Sequence, residues 1–149
     1  MEEKSFEEQF SKTELAMFIA EHVMGWMPNK EVSPGFFWSA QDKKARIVLN
    51  SPFYNMSKFA YKSETLFAPF ERMEDALEIV HIVRGYNIGV ILKWAYHAEV
   101  DVFAINGPPF GVTMTQDYSD FNGNEMRTMA MAICLMAKEL YNMSFFKVF

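Results

Sequence analysis

His97, Glu99 and Asp101 come nearest to a catalytic or metal-binding set in this sequence. An imidazole beside two carboxylates can shuttle a proton or bind a divalent metal. The same residues are typical of a polar hairpin tip, because alternate polar positions alone carry no ligand signature. We favour the hairpin tip and keep a small hydrolase using His97 as an alternative function.

No other residue has the context of a catalytic motif. Cys134 stands between Ile133 and Leu135, which is typical of a buried, inert thiol. A single cysteine excludes an internal disulfide and a cysteine-rich zinc site. The stretch "NGPPFG" at 106–111 lacks the lysine and the following helix of a phosphate loop, so it is a predicted turn. We therefore predict a protein that is not an enzyme and that uses no cofactor or metal.

A basic and aromatic segment, residues 43–62, is the strongest functional signal. It contains five basic residues and no acidic one, in a chain of net charge -5. The basic residues are Lys43, Lys44, Arg46, Lys58 and Lys62, and the rings are Phe53, Tyr54, Phe59 and Tyr61. Such a set suits a planar anion, because cations hold phosphates and rings stack on a base. The alternative is a solvated loop whose rings anchor it to the core.

From this segment we predict a binding site for a nucleotide-like small anion or signal. The predicted ligand-binding residues are Arg46, Tyr54, Lys58, Tyr61 and Lys62. An alternative is that the same patch docks on an acidic host protein, and a third is a structural or assembly protein without a small ligand. We also expect self-association, because Phe145, Phe146 and Phe149 form an apolar tail.

Two classes of partner are excluded by composition. The net negative charge leaves no whole-domain basic field for duplex nucleic acid. The longest apolar run, residues 129–137, is too short to span a bilayer, so we expect no membrane association and a cytosolic protein.

The first half of the chain predicts one helix and two short strands. Residues 1–10 resemble a frayed acidic lead-in, and Ser11–Glu14 reads as a capping box. Apolar residues at helical spacing follow: Leu15, Phe18, Ile19, His22 and Trp26. Gly25 and Pro28 end the helix and fold Trp26 back onto the core. Strands are predicted at 36–38 and 45–50, and a long loop at 51–66.

The second half predicts a helix, three strands and a helix. The helix at 71–86 has a predicted inner face of Met73, Ala76, Leu77, Val80 and Val83. Strands at 88–98, 100–105 and 110–118 have short links and form a meander. Lys93, Thr113 and Thr115 are polar strand positions that matter if helices leave their face open. A turn and N-cap cluster at 120–125 precedes a helix at 125–142, which is apolar nearly all round and must be covered on more than one side.

Together these elements predict a single domain over residues 1–149. The expected class is α+β: a three-layer α/β/α sandwich with three helices and a mostly antiparallel sheet that ends in the meander.

Several short stretches carry a resemblance to a known family. They are "ELAMFIAEHVMGW" (14–26), "LFAPFERMEDALEIVHIV" (66–83), the strand with Trp94, and "NEMRTMAMAICLMAKEL" (124–140). Over most of its length the sequence resembles the phage ABA-sandwich domain family of small phage and prophage proteins. The resemblance implies an α/β/α sandwich, phage origin and location in the host cytoplasm, and it supplies no catalytic residues. It also implies an accessory role, such as countering a host defence system by binding a host protein or a nucleotide signal.

Overall fold

The computed structural model describes residues 6–29, 34–56, 61–62, 64–105 and 110–143, with side chains from residue 12 onward. The chain forms two compact units, Met1–Ala68 and Pro69–Phe149. The described residues contain four α-helices and two sheets, of four and three strands. The α+β class is therefore confirmed, whereas we predicted three helices and one sheet.

The first unit begins with helix α1, Phe6–His22. The capping-box prediction is wrong, because Ser11–Glu14 lies inside this helix rather than at its start. The frayed lead-in is also wrong from Phe6 onward, and residues 1–5 lie outside the described residues. The buried face is made of small and branched residues at helical spacing: Thr13, Ala16, Ile19 and Ala20.

The end of α1 agrees with the prediction. Gly25 has φ +72°, the left-handed conformation that a glycine adopts without steric cost. The Trp26 amide donates to the Ala20 carbonyl at 3.0 Å, which turns the chain back. Trp26 is buried, with its ring 4.7 Å from that of Phe67 in an edge-to-face arrangement. Its return to the core is confirmed.

The first sheet has the strand order β1-β2-β3-β4. Its strands are β1 (Met27–Pro28), β2 (Phe36–Ser39), β3 (Lys44–Val48) and β4 (Leu66–Phe67). The first three pair antiparallel, and β4 joins β3 in parallel. A short helix α2, Pro52–Met56, follows β3. The strands predicted at 36–38 and 45–50 are confirmed, whereas the long loop predicted at 51–66 is wrong where α2 and β4 form.

The second unit contains helix α3 (Met73–Arg84), strands β5 (Ile88–Trp94), β6 (Ala98–Ala104) and β7 (Gly111–Gln116), and helix α4 (Glu125–Asn142). The strands pair antiparallel in the order β5-β6-β7. The predicted meander is confirmed, and so is the last helix with its bounds.

Helix α4 begins at an N-cap that the sequence indicated. The Asn124 side chain accepts a hydrogen bond from the Arg127 amide at 3.0 Å. The helix packs against β6 and β7 on one side and against α3 on another. Ten of its residues are consequently buried: Thr128–Cys134, Met136, Ala137 and Leu140. The prediction that α4 is covered on more than one side is confirmed.

Helix α3 buries a different face from the predicted one. Its buried residues are Asp75, Ala76, Ile79 and Val83, whereas Leu77 is 46% exposed. Asp75 is tolerated inside because the Arg72 guanidinium pairs with it at 2.8 Å. A prediction that chooses the inner face by hydrophobicity therefore misses this one, because the face contains a buried carboxylate.

The sheet of the second unit has a covered face and an open face. Ala98, Val100 and Val102 of β6 are fully buried on the covered face. The alternate residues form the open face, where Ile91 is 45% and Phe103 40% exposed. The Phe103 ring lies directly over Gly89 of the neighbouring strand. Lys93, Thr113 and Thr115 were expected to matter if the helices left their face of the sheet open. In the described residues of the second unit that face is open.

Candidate functional site

The two ends of strand β3 separate the basic residues of the predicted binding segment. Lys43 and Lys44 lie where β3 begins, and α2 with Tyr54 follows its other end. Four residue steps along a strand span about 13 Å, so these lysines and Tyr54 do not form one patch along β3. Lys43 is exposed and has φ +53° in the turn between β2 and β3.

Arg46 points into the first unit instead of toward solvent. Its side chain is only 1% exposed, and it is the largest of the fully buried side chains. The guanidinium carbon lies 4.8 Å from the centre of the Trp26 ring and 5.3 Å from that of Phe67. One terminal nitrogen donates to the Leu66 carbonyl at 3.2 Å. The burial corrects the prediction that Arg46 holds phosphate from an exposed segment.

These contacts give Arg46 a role in positioning. The hydrogen bond to Leu66 joins β3 to the short parallel strand β4, beside the backbone bond from Ile47 to Thr65. The Thr65 amide in turn donates to the Lys62 carbonyl at 2.9 Å. Arg46 therefore helps to fix the turn that carries Lys62. The ring faces of Trp26 and Phe67 stabilise its buried charge by cation–π attraction.

Tyr54 and Tyr61 are the part of the predicted site that the structure brings together. Their ring centres lie 6.4 Å apart at an interplanar angle of 40°, and both residues are half-buried. Lys62 follows directly and is exposed. Phe53 instead packs edge-to-face on Phe36 at 5.1 Å, as an anchor. Lys58 and Phe59 lie outside the described residues.

A second polar cluster lies on the open face of the β5-β6-β7 sheet. The Lys93 ammonium contacts the carboxylates of Asp101 at 2.9 Å and Glu99 at 3.3 Å. The Thr113 hydroxyl donates to Asp101 at 2.7 Å, from the cross-strand position that faces it. His97 Nε2 lies 3.6 Å from Glu99, which is longer than a hydrogen bond. Lys93 thus occupies the position between the two carboxylates. A metal ion or a general acid would need that same position.

The protonation states in this cluster follow from Lys93. Its hydrogen bond, with that of Thr113, lowers the pKa of Asp101 below its ordinary value. The hydrogen bonds of Asp101 and Glu99 raise the pKa of Lys93 in return. Both groups are therefore held in their charged forms. Among the described residues, no group of three histidine, cysteine or acidic side chains is arranged to hold a metal ion.

Cys134 is buried in α4, as its apolar neighbours predicted. Burial raises the pKa of its thiol far above the ordinary range, so the reactive thiolate is absent at neutral pH. The same conclusion follows from the sequence, where Cys134 stands in an apolar run.

The structure thus assembles part of each site that the sequence indicated. In the first unit it brings Tyr54 and Tyr61 together, leaves Lys62 exposed next to Tyr61 in the sequence, and buries Arg46. In the second it joins His97, Glu99 and Asp101 to Lys93, whose part in the cluster the sequence did not indicate. The cross-strand pairs Lys93–Glu99 and Ile91–Asp101 fix that arrangement, and they follow only from strand register.

Comparison with known proteins identifies no relative. No protein-family model matches the chain, and it has no significant match among curated proteins or solved structures. None of the helices in the described part of the chain has the length and apolar character needed to cross a bilayer.

Proposed function

We propose that this protein is a non-enzymatic binding protein that holds a nucleotide-like small anion at Tyr54, Tyr61 and Lys62. The observation that carries the proposal is the pairing of two tyrosine rings from separate parts of the segment, 6.4 Å apart, with an exposed lysine next to Tyr61 in the sequence. Half-buried tyrosines offer a flat apolar surface at a small entropy cost, and lysine is a point charge suited to phosphate.

The geometry indicates how a planar ligand binds. Two rings that sandwich a third need about 7 Å between their centres, twice the contact distance of carbon atoms. The observed pair is slightly closer and tilted. A base therefore stacks on the accessible face of one tyrosine, or it separates the two rings by a small movement. Lys62 then supplies the charge for the phosphate, while Arg46 holds the turn below it.

The wider biological role belongs to the same proposal. We infer a phage accessory protein of the ABA-sandwich family that acts in the host cytoplasm, where it counters a host defence system by sequestering a nucleotide signal. A three-layer α/β/α arrangement is part of this inference. The support is the set of sequence stretches that resemble the family, with the α+β class of the chain.

The proposal is tested by thermal-shift measurements with mononucleotides, cyclic dinucleotides and ADP-ribose derivatives. A ligand at a hundred times its dissociation constant adds about 2.7 kcal/mol to the free energy of unfolding. We expect one probe class to raise the melting temperature of the wild type. The shift should be lost in Tyr61→Leu and reduced in Lys62→Gln. Lys43→Gln is the matched control, because it removes another exposed cation, at the far end of β3.

Two results would contradict this function. Absence of any shift with all three probe classes removes the small-ligand proposal. An equal loss in Lys43→Gln and Lys62→Gln would show a general charge effect instead of a site. Ligand recovered intact after denaturation of the complex supports binding, and ligand recovered as product supports the hydrolase alternative, which His97→Ala would then abolish.

Docking on an acidic host protein remains the second candidate, and the exposed lysines favour it. Lys43 and Lys62 are exposed at separate points of the first unit, which suits a broad negative surface better than one small anion. Capture of a host protein by the wild type, weakened to the same extent by Lys43→Gln and Lys62→Gln and by added salt, would support this candidate.

A further inference from the structure

Strand β7 presents a free edge that natural sheets normally protect. It pairs with β6 on one side, and no strand pairs with its other side among the described residues. Edge strands are usually guarded by charged side chains, proline or a bulge, because unpaired backbone groups attract another strand. Residues 110–116 contain no charge and no proline, and the register of β7 with β6 is continuous.

The backbone groups that face this edge can be assigned residue by residue. The Ala104 amide donates to the Phe110 carbonyl at 3.3 Å, so this pair is a hydrogen-bonded one. In an antiparallel ladder such pairs alternate with non-hydrogen-bonded pairs. Val112, Met114 and Gln116 therefore direct their amides and carbonyls to β6. Gly111, Thr113 and Thr115 direct theirs outward, where no partner exists within the described part of the chain.

We propose that two copies of this chain pair through β7, antiparallel, about a two-fold axis at Thr113. Only outward-facing residues can form hydrogen-bonded pairs across the axis, so the pairs are Thr113 with itself and Gly111 with Thr115. Each pair exchanges two hydrogen bonds, about six in total, and a shift in register in either direction loses at least one pair. The result is a continuous sheet of six strands.

Charge and side-chain pattern identify a second copy as the occupant. A chain of net charge -5 repels its own copies, and β7 is a strand where no like charges meet. The two Asp101 carboxylates would be three strand spacings apart, about 14 Å, which exceeds the screening length at physiological salt. Pairing also places Val112 opposite Met114 on the helix-covered side, and both residues are only half-buried in one copy.

Thr113→Pro is the direct test. Its amide faces away from β6, so proline removes no backbone hydrogen bond within the sheet and is tolerated at such an edge position. It does remove the bond from the Thr113 hydroxyl to Asp101, and the melting temperature reports that loss. Proline also blocks pairing across the two-fold axis. Thr113→Lys places two lysines directly opposite each other across the axis, where like charges are destabilising. Ser119→Lys is the matched control, because it adds the same charge at an exposed residue outside β7. Circular dichroism and melting temperature verify the fold of each variant.

Sedimentation equilibrium over a dilution series gives the mass of each protein. We expect the wild type and Ser119→Lys to have twice the chain mass of 17.3 kDa, and Thr113→Pro and Thr113→Lys to have the mass of one chain. A monomeric wild type at every concentration would overturn the proposal. A dimer mass that persists in both β7 variants would also overturn the proposal. Binding of a different protein to the β7 edge would overturn it as well.

Hydrogen exchange gives a second measurement, which does not depend on any variant. The inward amides of Val112 and Met114 should be protected at all concentrations. The outward amides of Gly111, Thr113 and Thr115 should be protected in the dimer and lose that protection on dilution. Fast exchange of all three outward amides in a sample of dimer mass would contradict pairing through β7. Neither readout involves Tyr54 or Tyr61, so the result is independent of the proposed ligand site.

Discussion

Arg46 in the first unit and Lys93 in the second are both strand cations, and they are held in opposite ways. Arg46 lies on an inner strand, fully buried, between a backbone carbonyl and two aromatic rings. Lys93 lies on an edge strand, half-exposed, between two carboxylates. Arg46 is therefore fixed by packing, which salt does not screen, whereas the contacts of Lys93 weaken with salt and acid.

The largest expected effect comes from Arg46→Ala. The substitution empties a large volume between Trp26 and Phe67 and leaves the Leu66 carbonyl without this donor, at a cost of about 4 kcal/mol in the free energy of unfolding. Urea denaturation measures the loss. Lys43→Asn, which removes an exposed cation at a residue with positive φ, should change stability by less than about 0.5 kcal/mol.

Arg46→Met separates bulk from charge. If packing dominates, methionine restores most of the stability, because buried charges are often replaceable by apolar groups of similar volume. A methionine variant as unstable as the alanine variant would contradict the packing account and would assign the stabilisation to the charge.

Two glycines should show the same contrast between a rigid interior and a partly exposed sheet face. The expected losses of unfolding free energy are smaller than for Arg46→Ala. Gly35 has φ +116°, and a Cβ there would collide with the Ser51 side chain. Gly35→Ala should lower the free energy of unfolding by about 2 to 3 kcal/mol, because the positive φ disfavours a side chain and the new Cβ clashes with Ser51. At Gly89 a Cβ meets the end of the partly exposed Phe103 ring, which can turn away, so Gly89→Ala should cost about 1 kcal/mol. Thermal unfolding of both variants tests the order, and equal losses would contradict it.

The smallest effect concerns acid stability through Asp101. Lys93 and Thr113 lower its pKa in the folded protein below the ordinary value of 3.8. A lowered folded-state pKa gives stability that is complete above the unfolded pKa and is lost as pH falls through the folded one. Asp101→Asn should therefore flatten the decline of unfolding free energy as the pH falls through and below 3.8, the ordinary pKa of the group. Lys93→Met should act in the same direction.

The control for this prediction is Asp117→Asn, which removes an exposed carboxylate from the same unit without touching Lys93. Added salt should reduce the difference between the wild type and Asp101→Asn, since Lys93 is half-exposed and solvent reaches the pair. An acid decline that is identical in wild type and Asp101→Asn would show that the ion pair contributes nothing measurable.

Local patterns predicted the second unit better than the first. The meander follows from alternation and short links, and α4 from its N-cap and apolar length. The inward direction of Arg46 did not follow, because its partners Trp26, Leu66 and Phe67 lie far from it in the sequence. The capping box at Ser11 was wrong because a local motif can equally lie inside a longer helix. The pairing of Tyr54 with Tyr61 could not be predicted from local patterns, because it depends on how the chain folds around α2.

Helix α4 has a consequence for how the second unit is made. Its residues cover β6 and β7, yet they follow both strands along the chain. During synthesis the meander therefore leaves the ribosome before α4, with Val100 and Val102 still exposed to water. These strands are prone to aggregation until the helix emerges and packs on them. The interval between the two events is when a chaperone would be needed most, and slow synthesis through residues 117–142 would lengthen it.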